Sequence, residues 1–203
     1  MHITRRKLFG MGLGLSPALL AGQALAAQGP EKPLSRVAQG GFLPNIPLVT
    51  HQGQKVHFYD DLIHGKTVML NFFLVECTDG LCPTNTAKIR RVQDLLGDRM
   101  GKDVFFYSIT LEPKKDTPTV LKEYASNFDI KPGWTFLTGK PADVEKLRRA
   151  LGYVDWDPER DKVLSNHIGM ARYGNDSLDR WGGVSLGTSA ENIASTFEWL
   201  SKV

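Results

Sequence analysis

The chain has 203 residues, a length that suits one domain of ordinary size. With 41% apolar and 23% charged residues it is globular in composition rather than disordered. The formal charge of +3 is carried by Arg5, Arg6 and Lys7 alone, so the chain from residue 27 onward is neutral, which excludes a basic footprint for nucleic acid.

Residues 1–26 read as an address. A basic head, Thr4-Arg5-Arg6-Lys7-Leu8-Phe9, resembles a twin-arginine export signal. An apolar stretch interrupted by glycines and Pro17 follows, and Ala24-Leu25-Ala26 is a small-x-small cleavage signal after which the chain is expected to be cut. The stretch is short against the roughly 20 apolar residues a membrane span needs, so an uncleaved anchor is the weaker alternative. The expected compartment is the periplasm. Residues 27–42 hold Gly, Pro and Gln without periodicity and are expected to form a flexible leader, with one domain from 43 to 203.

Gly53 between two short extended segments, 44–50 and 54–58, predicts a hairpin. Thr67–Val75 is an apolar run suited to a strand buried on both faces. Pro83 predicts the first turn of a helix whose apolar positions are Ile89, Val92, Leu95 and Leu96 and whose end is Gly97. A second buried strand is expected at Asp103–Thr110, and a helix opening at Pro118 with Leu121, Tyr124 and Phe128 inward. A third strand follows at Trp134–Leu137, then a helix opening at Pro141 and closed by Gly152. A fourth strand is expected at Ile168–Tyr173. Thr188 and Glu191 form a capping box for a last helix with Ile193, Phe197 and Leu200 inward. Trp181-Gly182-Gly183 reads as a bulky turn. Strands alternating with helices imply an α/β layered fold. A strand running into a cysteine-bearing loop and then a helix is typical of thioredoxin-like domains, so the expectation is a central mixed sheet with flanking helices and an N-terminal hairpin.

Cys77 and Cys82 are the only cysteines, five positions apart in a chain expected to meet an oxidising compartment. A disulfide between them would close a very small loop and stabilise little, so chemistry is the better reason for the pair, although an inert structural disulfide stays open. Cys82 is expected at a helix N-terminus, where unpaired N–H groups and the helix dipole favour a thiolate, the form that exchanges disulfides and binds soft metals. Two thiolates are few for structural zinc, whereas Cu(I) is satisfied by two or three soft ligands. His167, directly before the fourth strand, is the candidate third ligand; taken alone, a packed or surface histidine is the plainer reading. No proline stands between Pro158 and the chain end, unlike ordinary thioredoxin-type reductases, which place one before that strand. His51, His57 and His64 are expected to be solvated, with a His51–His57 metal site as a weak alternative. Peroxide reduction needs an activating Arg beside the cysteine, and no motif supplies one.

The chain is similar to the Sco/SenC family of copper-binding, thioredoxin-like proteins over roughly residues 43–200. The resemblance rests on Cys77…Cys82-Pro83, on Tyr107-Ser108-Ile109-Thr110-Leu111-Glu112-Pro113 with Asp116-Thr117-Pro118, on Val120–Tyr124, on Phe136–Gly139 and on His167. It implies a copper site of Cys77, Cys82 and His167, binding Cu(I) and also Cu(II), with Cys77 and Cys82 cycling between dithiol and disulfide. It implies a metallochaperone for a respiratory copper centre such as the CuA-type site of cytochrome c oxidase subunit II, served by a periplasmic thiol reductant. It implies a carrier rather than an enzyme with a certain catalytic residue; the alternative is a metal-independent thiol–disulfide oxidoreductase. Four residues separate the cysteines where the family usually has three, Thr78 stands where proline is common, and Glu112 where aspartate is usual.

Overall fold

The computed structural model of the protein describes residues 43–77 and 80–201, and the expected export signal and leader lie outside them. Pro47–Thr50 (β1) and Lys55–His57 (β2) pair antiparallel across a turn in which Gly53 takes a φ of +82°, which glycine adopts without a Cβ penalty. Thr67–Phe73 (β3), Val104–Thr110 (β4) and Trp134–Gly139 (β5) follow, joined by helices Leu81–Leu96 (α1) and Pro118–Asn127 (α2). Pro141–Ala150 (α3) and the short Pro158–Asp161 (α4) lead to Met170–Asn175 (β6), Arg180–Ser185 (β7) and Ala190–Ser201 (α5).

The seven strands form one sheet in the order β2-β1-β5-β4-β3-β6-β7. β3, β4 and β5 are parallel, and antiparallel pairs extend the sheet on both sides. All seven residues of β3 are buried, which explains its near-continuous apolar sequence. Successive side chains of a strand point to opposite faces. Met69 and Phe73 therefore join α1, α2 and α5 through Ile89, Leu121, Tyr124, Ile193 and Phe197. Val68, Leu70 and Phe72 join Leu147 of α3 and a π-helical turn at Phe58–Ile63. Each such fully buried side chain contributes about 1.5–3 kcal/mol relative to exposure. This is the α/β arrangement with central mixed sheet, flanking helices and hairpin that the sequence pattern predicts. Among the described residues no helix is long and apolar enough to cross a membrane.

Four local expectations are corrected. α1 begins at Leu81 rather than at Pro83, because Gly80 at a φ of +72° turns the chain into the helix two residues earlier. The last helix is capped by Ser189, whose hydroxyl accepts the Asn192 N–H at 3.2 Å, rather than by Thr188. Trp181-Gly182-Gly183 is not a turn but the middle of β7. Gly174 lies opposite Trp181 and Tyr173 opposite Gly182, so each glycine is the floor on which a cross-strand ring lies; a Cβ at Gly174 would sit 2.2 Å from the Trp181 ring. His51 is not solvated: its Nδ1 accepts the Phe136 N–H at 3.2 Å, and burial lowers its pKa. His57 and His64 are exposed as expected.

The β3–β6 pairing carries an inserted hydroxyl. Leu70 and Arg172 are register partners, yet the Arg172 N–H donates to the Tyr153 hydroxyl (3.1 Å), which in turn donates to the Leu70 carbonyl (3.0 Å). Tyr153 is 7% exposed and desolvation raises its pKa, so the phenol stays protonated as the donor. Replacing it with phenylalanine leaves a half-buried N–H and a buried C=O without this bridge. Tyr153→Phe is expected to destabilise the fold by about 1–3 kcal/mol, read as a lower urea midpoint with an unchanged slope.

Candidate metal centre

The cysteine pair stands where β3 stops and α1 starts. After Phe73 the chain leaves the sheet through Leu74, Val75 and Glu76. Cys77 follows half-buried in the loop, and Cys82 is the second residue of α1, 1% exposed. The sulfurs are tied into the backbone at both ends. The Cys82 N–H, one of the donors a helix start leaves unpaired, points to Cys77 Sγ at 3.2 Å. The Leu74 N–H points to Cys82 Sγ at 3.3 Å. The left-handed Gly80 makes the tight return that brings five-apart cysteines to one helix end. Thr78 and Asp79 lie outside the described residues, and Glu76 is exposed and ion-paired with Lys115 at 3.6 Å.

A polar and aromatic frame surrounds the pair that sequence reasoning missed. Thr86 donates to the Cys82 carbonyl at 2.9 Å and shares a hydrogen bond with the Tyr124 hydroxyl at 2.9 Å. Burial pushes the Tyr124 pKa up to about 12, with both cysteines contributing charge repulsion. Asp116, 2% exposed, accepts from the Thr110 hydroxyl and from the Val75 N–H, and so fastens the loop just before Cys77. Desolvation raises its pKa against those two hydrogen bonds.

His167 closes a 3-10 turn, Leu164–His167, three residues before the start of β6, and is 4% exposed. Its neighbourhood touches the cysteine helix directly. Asn85, one turn after Cys82, donates to the Ile168 carbonyl at 3.1 Å, and Ile168 shares the apolar cluster of Cys82 and Cys77. The ring itself is turned to another partner set. Nε2 lies 2.9 Å from the Asp161 carbonyl and 3.1 Å from Arg148 Nη1. Asn166 donates to the Arg160 carbonyl at 2.8 Å and so caps the end of α4. Arg148, 3% exposed, forks onto Asp161 and Glu145, which raises its own pKa and holds both carboxylates below their usual range.

The structure thus brings Cys77 and Cys82 together and packs the His167 segment against their helix. It does not gather the three into one cluster: among the described residues no three His, Cys, Asp or Glu side chains are close enough to hold a metal ion. The donor set, two thiols and an imidazole, is nevertheless one that suits a soft cation. His51 and His57 are not grouped with a third ligand either. Asn85 carried a readable signal, being placed three residues after Cys82 on the same helix face. Arg148 and Asp161 carried none, because charged residues in that stretch look like solvated helix faces.

A mixed sheet whose central strand ends in a dithiol at a helix N-terminus defines a thioredoxin-like thiol protein. The sequence profile of the SCO1/SenC family matches residues 42–171, and the chain belongs to that family. A SCO2-like protein of Rickettsia felis is 31% identical over 155 residues, covering 70% of this chain and 71% of the relative. ScoI of Bradyrhizobium japonicum, solved with copper bound, superposes with a TM-score of 0.59 at 24% identity, covering 77% of this chain and 99% of that one. BsSco, described as having a disulfide switch and as one of the Sco family of cytochrome c oxidase assembly proteins, superposes with a TM-score of 0.59 at 22% identity over 77% of this chain and 91% of its own.

The two thiols differ in access. In the fully reduced protein, Cys77 is expected to be alkylated at least about tenfold faster than Cys82, a ratio that disappears in denaturant; peptide mass spectrometry over a time course reads it.

Proposed function

We propose that this protein is a periplasmic copper carrier that delivers copper to a respiratory copper centre of the CuA type in cytochrome c oxidase, and that copper, its cargo, is held by Cys77, Cys82 and His167. The observation that carries the reading is the Asn85–Ile168 hydrogen bond, which docks the histidine segment on the helix that starts at the cysteine pair. Family membership, and the copper named with solved relatives such as ScoI, support it. Two sulfurs already share one helix end, and loading would bring the histidine turn to them. Thiolates are soft ligands and the neutral imidazole completes a three-donor set fitted to Cu(I).

The same dithiol supports redox work on the client. Reduced Cys77 and Cys82 together give up two electrons and two protons to a client disulfide, leaving a disulfide here and two thiols there. Cys77, the accessible sulfur, attacks first, and buried Cys82 resolves the mixed disulfide. In this reading thiol exchange prepares the client and copper transfer follows. The basic head and cleavage signal of residues 1–26 support export.

The reduced wild type is expected to bind about one Cu(I) per chain in competition with a chromophoric Cu(I) chelator. His167→Ala is expected to weaken binding by about 10-fold to 100-fold, and Cys77→Ala to remove nearly all of it. No competition by the wild type would leave disulfide exchange as the function, testable with a protein disulfide as substrate for the reduced form.

A further inference from the structure

The β1–β5 ladder ends on a side chain. Leu48 pairs with Gly139, Val49 with Thr138 and Thr50 with Leu137, so the next partners in register are His51 and Phe136. Antiparallel partners that bond to each other exchange two N–H···O bonds. The first is present here, from the His51 N–H to the Phe136 carbonyl at 2.8 Å. The second is not made by backbone. His51 already belongs to the turn that Gly53 closes on the Thr50 carbonyl at 2.8 Å, and the Phe136 N–H goes instead to His51 Nδ1 at 3.2 Å. An imidazole nitrogen stands where a carbonyl oxygen is the rule.

A backbone N–H can only donate, so Nδ1 presents its lone pair and the hydrogen of the neutral ring sits on Nε2. Imidazolium carries hydrogen on both nitrogens and accepts on neither. Proton uptake therefore sets two N–H groups against each other at the end of the ladder, where a carbonyl would be indifferent to pH. The ring is half-buried, edge-on to Phe136 with 6.2 Å between centroids. It borders an open cleft of about 320 Å³ lined also by Gln52, Lys122, Ser126 and Asp129, which gives protons a path to it. Lys122 of α2 opposes a second positive charge there. The Asp129 side chain is 96% exposed and faces Arg90 at 3.7 Å, so neither charged neighbour offsets a protonated ring.

We propose that His51 is an acid-sensitive clip that fastens the turn end of the β1–β2 hairpin to β5 when neutral and releases it when protonated. A solvated imidazole takes its proton near pH 6.5, roughly. Below that pH the opened end binds a proton that the closed end refuses, so closure weakens as pH falls. The effect is local, because Leu48 and Val49 stay paired to β5 through backbone that does not titrate.

The test is amide hydrogen exchange by NMR on the full chain across the titration of the ring, read as protection factors to remove the intrinsic pH dependence of exchange. The Phe136 amide is expected to lose protection by up to about tenfold per pH unit below about pH 6.5, while amides of the β3–β4 ladder keep theirs. The loss is expected to level off where the ring titrates in the folded chain. In His51→Asn, Oδ1 takes the place of Nδ1 and accepts at every pH, so Phe136 protection is expected to be level. A flat profile in the wild type, or a loss that persists in His51→Asn, overturns the proposal. Long-range proton–nitrogen NMR of the wild-type ring above its titration is the second arm and needs no variant. A bare Nδ1 with hydrogen on Nε2 supports the clip, and hydrogen on Nδ1 overturns it. Should His51→Asn not fold, the wild type still decides: a ring that titrates without changing Phe136 protection overturns the proposal.

Discussion

The arrangement depends on where β3 ends. A strand buried on both faces must leave the sheet at its carboxyl edge, and here it does so at Phe73, four residues before Cys77. α1 starts on the far side of the same loop, and a helix start turns N–H groups outward that have no partner within the helix. The Cys82 N–H meets Cys77 Sγ, and the Leu74 N–H meets Cys82 Sγ. Each sulfur is thus an acceptor for backbone that would otherwise lack a partner, and the dithiol is built into the strand-to-helix corner. Placement at a helix N-terminus also favours negative charge on the sulfur, the condition for both metal binding and disulfide exchange.

Around that corner the protein divides labour between two kinds of support. Asp116, Thr110, Thr86 and Tyr124 hold the cysteine side by hydrogen bonds within the central sheet and its first two helices. Arg148, Glu145 and Asp161 hold the histidine side through α3 and α4. The two sides meet at few points, chief among them the Asn85–Ile168 bond and the apolar contacts of Ile168.

The strands, the main helices and the cysteine corner were legible because they rest on local rules: apolar runs, prolines in first turns, glycines at ends. The closeness of Cys77 and Cys82 was readable from residue chemistry, whereas His167 was singled out mainly by the family resemblance. What escaped has a common physical cause, which is that the deciding partner is remote in sequence. Trp181-Gly182-Gly183 resembles a turn until Tyr173 and Gly174 are seen across the ladder. Arg148 looks like a solvated helix charge until Asp161 and His167 surround it. Ser189 and Thr188 are both cap-forming residues on paper, and the Asn192 N–H takes the Ser189 hydroxyl. Gly80 moved the start of α1 by two residues for the same kind of reason, since its left-handed backbone is not written in any periodicity.

The antiparallel β3–β6 pairing has a temporal consequence. Thr67 pairs with Asn175, and Asn85 reaches a carbonyl 83 residues further along. A polypeptide made from its N-terminus exposes both thiols long before the segment that shields them has been synthesised, and pairings of such span are among the slower events in folding. During that interval the sulfurs face whatever oxidant or stray ion is present, with no imidazole to complete the set. A chain that finishes folding in a reducing place before it meets oxidant arrives with its cargo site intact, so the order of synthesis, folding and transport governs what the corner holds on arrival.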